Sequence, residues 1–220
     1  MQNIRRRINL CKLRGIKRNK THIVVLGSNF DSKYKRSALK TVQKEIKLNS
    51  LTVVRDEHSY EMLKGFKRIK NYHLADDIAY NLSEFYPIKD QNRKGLGISC
   101  YRSLKSNENN YNNYVALSKI TDGYIEKTEN NVYLFAFNFK NENDLSAAHH
   151  VKNLNRRKDK IVIIPFLGNV EEFLSSIQKC ETMIAIRFHS AILSDIYKIP
   201  FLPIVYSNKM QIFILMNWKL

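Results

Sequence analysis

The feature of this chain that most constrains its fold is a series of short apolar runs, rich in β-branched residues, that alternate with longer segments of helical periodicity. The runs are continuous, which is typical of strands buried on both faces of a sheet. Strands that alternate with helices predict βαβ units, and therefore an α/β fold with parallel sheets. The predicted strands are Ile23–Leu26, Leu51–Val54, Leu96–Cys100, Val132–Phe137, Ile161–Ile164, Met183–Ile186 and Phe201–Val205.

Three segments between these runs place their apolar residues at the spacing of an amphipathic helix. Before one of them, Asn169 can act as the N-cap, and Glu171 and Glu172 lie in the first turn, where the helix dipole favours anions. The predicted helices are Tyr34–Leu48, Val170–Lys179 and His189–Tyr197.

The grouping of the strands predicts two Rossmann-like domains. Residues 21–82 form the N-terminal one and residues 94–209 the C-terminal one, joined by a polar linker at 83–93. Residues 21–82 contain only two convincing strands, too few for a stable sheet. We therefore expect the first domain to be incomplete, or to be completed by residues that the pattern does not mark as strand. An apolar tail, 210–220, is either a final element packed into the core or a truncated end.

The charge of the chain is concentrated near its start. The chain has 37 Lys and Arg against 20 Asp and Glu, a net charge of +17, and residues 1–50 contribute +12 of it (14 basic against 2 acidic). No run approaches the roughly 18 apolar residues of a membrane span. The first twenty residues hold eight Lys or Arg with no apolar region behind them, so we expect no signal peptide. Residues 1–20 form a basic N-terminal segment.

The three cysteines are isolated from one another. Cys11, Cys100 and Cys180 show none of the spacings of a zinc site or a disulfide framework, which favours a reducing cytoplasm. Cys100 and Cys180 lie in apolar surroundings and are predicted to be buried, unreactive thiols.

The segment that carries the most chemistry runs from Met183 to Lys209. A buried strand is followed at once by Arg187, Phe188 and His189, where a helix begins. Ligands of open α/β sheets bind at this end of the strands, and a helix N-terminus there favours an anion. The Arg187 guanidinium can bind a carboxylate or phosphate through two hydrogen bonds, and His189 can hold or release a proton.

A second cation follows the next predicted strand. Lys209 comes just after the strand Phe201–Val205, and neighbouring parallel strands would bring it to the same edge as Arg187 and His189. The pattern predicts a cationic pocket for a small polyanion, with one proton-transfer group. Because Arg187 and His189 are adjacent at a strand-to-helix switch, this function and the structural alternatives are equally open: Arg187 as a surface residue or a structural ion pair, and His189 as a packed or capping residue.

Several motifs in this chain resemble the polysaccharide pyruvyl transferase family. They span residues 55–209 in the order expected of that family, with Leu96–Ser99 similar to the first strand of its second domain. The motif residues are Arg187-Phe188-His189-Ser190-Ala191, Ile199-Pro200, Tyr206-Ser207-Asn208-Lys209, Arg55-Asp56 with Ser59, and Leu74-Ala75-Asp76-Asp77.

The resemblance implies a GT-B-like fold and a specific reaction. Two Rossmann-like domains would face each other across a cleft. Pyruvate would be transferred from phosphoenolpyruvate onto two hydroxyls of a sugar as a cyclic ketal, releasing phosphate. The acceptor would be a cell-surface polysaccharide, as in exopolysaccharide biosynthesis, or its lipid-linked precursor. No metal, organic cofactor or nucleic acid is implied.

The same resemblance implies roles for individual residues. Arg187 and His189 would hold the donor, with His189 as the proton-transfer group, and the backbone N–H of Phe188 would add a hydrogen-bond donor. Lys209 would neutralise the departing phosphate. Arg55 would reach the anion from the first domain.

Other side chains have structural explanations. Arg55 and Asp56 could instead form an ion pair at a strand end, and Asp76 and Asp77 are predicted to cap a helix or fix the linker. His149 and His150 are predicted to be exposed helix residues.

The chain also departs from the family pattern. The resemblance implies an early Gly-rich loop with Asn and Asp, and here only Gly27-Ser28-Asn29 is similar to it, with a plain turn as the favoured alternative. A truncated, inactive copy of a transferase is therefore an alternative.

Two further functions remain open from the sequence. An Arg and a Lys over a helix N-terminus would also suit a GT-B glycosyltransferase that uses a nucleotide sugar. A non-enzymatic alternative is nucleic-acid or membrane-surface binding through the basic segment. For a cytoplasmic enzyme with a lipid-linked acceptor, we expect peripheral contact of residues 1–20 with anionic lipid at the inner face of the plasma membrane.

Overall fold

The computed structural model describes residues 12–17, 20–30, 36–89, 92–103, 107–138, 143–205 and 208–217. The chain divides into two compact units, Met1–Ile78 and Ala79–Leu220. Each unit contains a parallel sheet with helices between its strands, so the predicted α/β class is confirmed. Within the part of the chain that the structure describes, no helix is both long and apolar enough to cross a membrane.

The first unit is built on a three-stranded sheet. Its strands are β1 (Val24–Ser28), β2 (Leu51–Val54) and β3 (Tyr72–Leu74), in that spatial order. The helices α1 (Arg36–Ile46) and α2 (Glu57–Lys64) connect them, and residues 12–17 are also helical. The buried core residues of this unit are Val42, Ile46, Val54 and Leu63.

The third strand was not predicted. Tyr72 pairs with Thr52, and Leu74 pairs with Val54, which makes β3 a parallel edge strand beside β2. Only three residues long and largely exposed, β3 has no apolar run to mark it. The sheet of the first unit therefore has a third strand that the sequence pattern does not mark.

The second unit contains a five-stranded sheet in the order β6-β5-β4-β7-β8, with every neighbouring pair parallel. The strand order reverses between β4 and β7, because the chain builds outward on one side of β4 and then returns to its other side. The strands are β4 (Leu96–Ser99), β5 (Val132–Ala136), β6 (Ile161–Pro165), β7 (Thr182–Ala185) and β8 (Phe201–Pro203).

Helices cover both faces of this sheet. The helices are α3 (Leu82–Phe85), α4 (Asn107–Thr128), α5 (Asp144–Leu154), α6 (Val170–Gln178), α7 (Phe188–Ile196) and α8 (Asn208–Asn217), with short 3₁₀ turns at Ile78–Asn81 and Lys158–Lys160. One core cluster packs α4 and α5 against the sheet, and another packs α6, α7 and α8. This two-sided cover explains why the strands are continuous apolar runs.

The observed ends of the helices and strands differ from the predicted ends by one or a few residues. The helix expected from His189 begins at Phe188, because Arg187 is its extended N-cap residue. The last strand ends at Pro203 instead of Val205. The Asn169 cap is confirmed, since its side-chain oxygen accepts the N–H of Glu172 at 3.2 Å.

The predicted linker and the apolar tail both make contacts within the second unit. In the predicted linker, the Arg93 guanidinium donates to the carbonyl oxygens of Tyr197 at 2.6 Å and Lys198 at 2.8 Å. The apolar tail contributes most of α8, whose Met210 and Phe213 are buried in the core. The tail is thus a packed helix over its described residues.

Candidate active site

The carboxyl ends of β4 and β7 are joined by the hydroxyl of Ser99. Its Oγ accepts the backbone N–H groups of Ile186 at 2.7 Å and Arg187 at 3.0 Å. The same atom lies 2.7 Å from Ser190 Oγ, which donates to the carbonyl oxygen of Arg187 at 2.5 Å. These bonds fix the backbone where β7 turns into α7, which is the point of strand-order reversal at which open α/β sheets bind ligands.

The side chain of Arg187 forms a buried ion pair with Asp144. Nε donates to Asp144 Oδ2 at 3.0 Å, and Nη2 donates to Oδ1. The ring of Tyr101 lies over the guanidinium, with its centroid 4.5 Å from Cζ. Asp144 is fully buried and also accepts the N–H of Asn138 at 2.9 Å. The ion-pair alternative for Arg187 is therefore confirmed, while its contact with a donor stays a prediction.

His189 lies beside Arg187 but is exposed to solvent. It is the second residue of α7, and its ring makes an edge-on contact with Phe188 at 5.5 Å between centroids. Phe188 in turn packs edge-on against Phe213 at 5.8 Å. The first turn of α7 is anchored by Phe188 and presents an accessible imidazole at the edge of the sheet, as proton transfer to a bound ligand requires.

Lys209 is the remaining predicted site residue of this segment. Lys209 lies in the first turn of α8, but its side chain is outside the described residues, as are Tyr206 and Ser207. The structure therefore brings together Arg187, Phe188 and His189, and the position of the Lys209 ammonium stays a prediction.

In the first unit, Arg55 follows β2 and forms an ion pair with Asp77. The side chains of both residues are largely buried, and Arg55 Nη2 also donates to Asn29 Oδ1 at 3.4 Å. Asp56 has a separate role as the N-cap of α2, accepting the N–H of Ser59 at 2.7 Å. The predicted strand-end ion pair thus exists, but with Asp77 in place of Asp56.

The two thiols of the second unit are buried, as predicted. Desolvation raises the pKa of Cys100, with a further contribution from Asp144, and raises the pKa of Cys180 to about 12. Both thiols therefore stay protonated at neutral pH, which excludes them as nucleophiles. Cys11 lies outside the described residues.

A cavity near the same edge of the sheet was missed by the sequence analysis. It has a volume of about 290 Å³. Its lining includes Arg102, which follows β4 by three residues, a strand-end position that could have identified it. The cavity also includes His150, which is exposed on α5 as predicted. The lining residues are Arg102, Asn110, Tyr111, Tyr114, Ser146 and His150.

No metal centre is found in the described part of the chain, where no group of three or more His, Cys, Asp or Glu side chains comes together.

Comparisons with known proteins identify the family. A search of curated proteins gives no match. Among solved structures, the chain is similar to the crystal structure of TarM at 11% identity and a TM-score of 0.45, over 83% of this chain and 36% of that one. The chain therefore spans well under half the length of TarM. The family model described as polysaccharide pyruvyl transferase matches residues 4–208. Because this match covers nearly the whole sequence, the chain belongs to the polysaccharide pyruvyl transferase family.

Proposed function

We propose that this protein is a pyruvyl transferase that uses phosphoenolpyruvate as its donor. Pyruvate is moved onto two hydroxyls of a sugar in a cell-surface polysaccharide or its lipid-linked precursor, giving a cyclic ketal and inorganic phosphate. The observation that carries the proposal is the Arg187-Phe188-His189 turn at the strand-order reversal, in a chain that the family model matches over residues 4–208.

The proposed reaction requires one group that protonates the double bond of phosphoenolpyruvate. The methylene carbon of phosphoenolpyruvate takes up a proton and becomes a methyl group, and the neighbouring carbon is then attacked by one sugar hydroxyl. Departure of phosphate allows the second hydroxyl to close the ring. The two sugar hydroxyls each lose a proton. One of these protons restores the group that protonated the methylene carbon, and the other leaves with phosphate. An exposed imidazole such as His189 suits this transfer.

The donor carries a phosphate and a carboxylate, so its site must be cationic. In this proposal, Arg187 is oriented by Asp144 at the N-terminus of α7, where the helix dipole also favours an anion. The backbone N–H of Phe188 adds a hydrogen-bond donor, and Lys209 neutralises the departing phosphate. His189 holds and transfers the proton.

The test separates donor binding from turnover. We expect calorimetric titration to show saturable binding of phosphoenolpyruvate to the full chain. His189→Ala is expected to leave this binding within a few-fold of the original. In an assay of phosphate release with a polysaccharide acceptor, the same variant should lose about 10²-fold or more in rate. The matched control is His149→Ala, since His149 is exposed on α5 and does not line the site.

Three outcomes would contradict the proposal. A folded chain that does not bind phosphoenolpyruvate would exclude the donor. Binding of uridine diphosphate in its place would favour a nucleotide-sugar glycosyltransferase. Full turnover by His189→Ala would remove His189 from the reaction. Arg187→Ala is a poor first variant, because it leaves the buried Asp144 carboxylate unpaired.

A further inference from the structure

The cavity beside Arg102 is a candidate site that the proposed donor chemistry does not use. It lies in the second unit at the first turns of α4 and α5, next to the loop that follows β4. Ser103, next to Arg102 in the described part of that loop, is held by the amide of Asn110, which accepts its N–H at 2.8 Å and donates to its carbonyl oxygen at 2.7 Å. Arg102 is therefore presented from a fixed backbone.

The side chains that line the cavity favour an anion. They include the guanidinium of Arg102, and none of the lining side chains that the structure describes is a carboxylate. Over the described residues, Arg102 has neither a hydrogen-bonded nor an ion-paired partner. The nearby carboxylate of Asp144 is bonded to Arg187. Desolvation raises the pKa of Tyr114, although the Arg102 charge acts in the opposite direction, so this phenol remains neutral.

Three aromatic rings also line the cavity, those of Tyr111, Tyr114 and His150. The ring of His150 stacks on Tyr114, with centroids 5.3 Å apart and planes at 28°. His150 Nδ1 lies 2.7 Å from the carbonyl oxygen of Ser146, which assigns the imidazole proton to Nδ1. Tyr111 is 56% exposed, so its ring is open to a ligand. Aromatic walls with a few convergent polar groups are typical of small-molecule sites.

We propose that this cavity binds a sugar phosphate, with the phosphate on Arg102 and the sugar ring against Tyr111. Its volume of about 290 Å³ lies just below the usual range for ligand pockets, roughly 300–1,000 Å³. That size suits one phosphorylated monosaccharide. The assignment of this ligand as the phosphorylated end of the acceptor rests on the proposed function, whereas the binding itself does not.

The test is calorimetric titration of the full chain with glucose 1-phosphate, compared with glucose, inorganic phosphate, uridine monophosphate and phosphoenolpyruvate. We expect binding of glucose 1-phosphate with a Kd that rises about tenfold or more in Arg102→Gln, because a charge-assisted hydrogen bond is lost. Tyr111→Ala should weaken binding similarly. The matched controls are Tyr111→Phe, which keeps the ring, and Arg156→Gln, whose side chain is 83% exposed. Both should bind within about twofold, since neither removes a proposed contact.

Each contrary result overturns a named part of the inference. Equal affinity for inorganic phosphate would mean an anion site with no sugar contact, and binding of uridine monophosphate alone would mean a nucleotide pocket. Unchanged affinity in Arg102→Gln would exclude the assigned phosphate contact. If phosphoenolpyruvate binds and glucose 1-phosphate does not, this inference fails while the proposed function stands. The opposite pattern would overturn the donor assignment and leave the sugar-phosphate site in place.

Discussion

At the scale of single residues, the pairing of Arg187 with Asp144 controls what the site can do. Two charges removed from water carry a large desolvation cost, which only close, two-bond geometry offsets. That geometry is present here, with the Tyr101 ring over the guanidinium and the N–H of Asn138 on the carboxylate. The pair holds Arg187 in one orientation more than it adds net stability.

The first prediction concerns Asp144→Asn. Removing one partner of a buried ion pair leaves the other charge without compensation, so the free energy of unfolding should fall by about 3–5 kcal/mol. Urea unfolding followed by circular dichroism measures this loss. The control is Asp159→Asn, whose partner Arg157 lies 3.5 Å away on the surface, and which should change stability little. Equal effects of the two substitutions would mean that burial of the Arg187 pair has no energetic consequence.

At the scale of elements, the second unit shows why its helices begin where they do. The helix α6 has an N-cap whose side chain bonds a backbone N–H, and two glutamates in its first turn complement the helix dipole. At α7 the cap residue is Arg187, whose guanidinium has no acceptor for a backbone N–H and donates to Asp144 instead. Of these two helices, the one that carries the candidate site, α7, thus begins without a side-chain capping bond.

The second prediction concerns the N-cap of α6. Asn169→Ala removes the acceptor of the Glu172 N–H and should lower the free energy of unfolding by about 1 kcal/mol. Asn169→Asp keeps a capping oxygen and should preserve stability. Thermal unfolding of the three proteins side by side provides the measurement. A loss in Asn169→Asp as large as that in Asn169→Ala would show that the cap bond is not the cause.

At the scale of the whole molecule, the distribution of charge is uneven. Residues 1–50 contribute +12 of the net charge of +17. Most of the basic segment, including Arg5, Arg6 and Arg7, lies outside the described residues. A cluster of cations of this kind is attracted to anionic lipid, at about 1 kcal/mol for each basic residue near the surface. We propose that residues 1–20 bring the protein to the cytoplasmic face of a membrane that carries its acceptor.

The third prediction follows from that charge. The full chain should bind vesicles containing phosphatidylserine more strongly than neutral vesicles, and the binding should weaken as salt is raised, because the attraction is screened. Replacing Arg5, Arg6 and Arg7 with Gln should reduce it strongly. Replacing the surface residues Arg156, Lys158 and Lys179 with Gln gives a control of equal charge change. Vesicle sedimentation at several salt concentrations measures both, and equal binding to neutral vesicles would exclude the proposal.

Much of this architecture could be predicted from local sequence. The seven predicted strands and the capped helix α6 are all present, because apolar continuity, helical periodicity and capping chemistry act over a few neighbouring residues. The Arg187-Phe188-His189 turn could be placed at a strand end for the same reason. In contrast, β3 has no apolar run of its own and exists only because β2 offers it a hydrogen-bonding partner.

The α/β class, the order of the elements and the position of the motif at the end of β7 can therefore be predicted from local sequence. The tertiary structure was needed to show that β7 lies beside β4, which brings Ser99 to a backbone N–H 88 residues away, and that Arg187 is paired with Asp144. It also decided that Arg102 lines a cavity with side chains from two helices. These contacts depend on which strands become neighbours, and that choice depends on how the whole core packs, which no local pattern encodes.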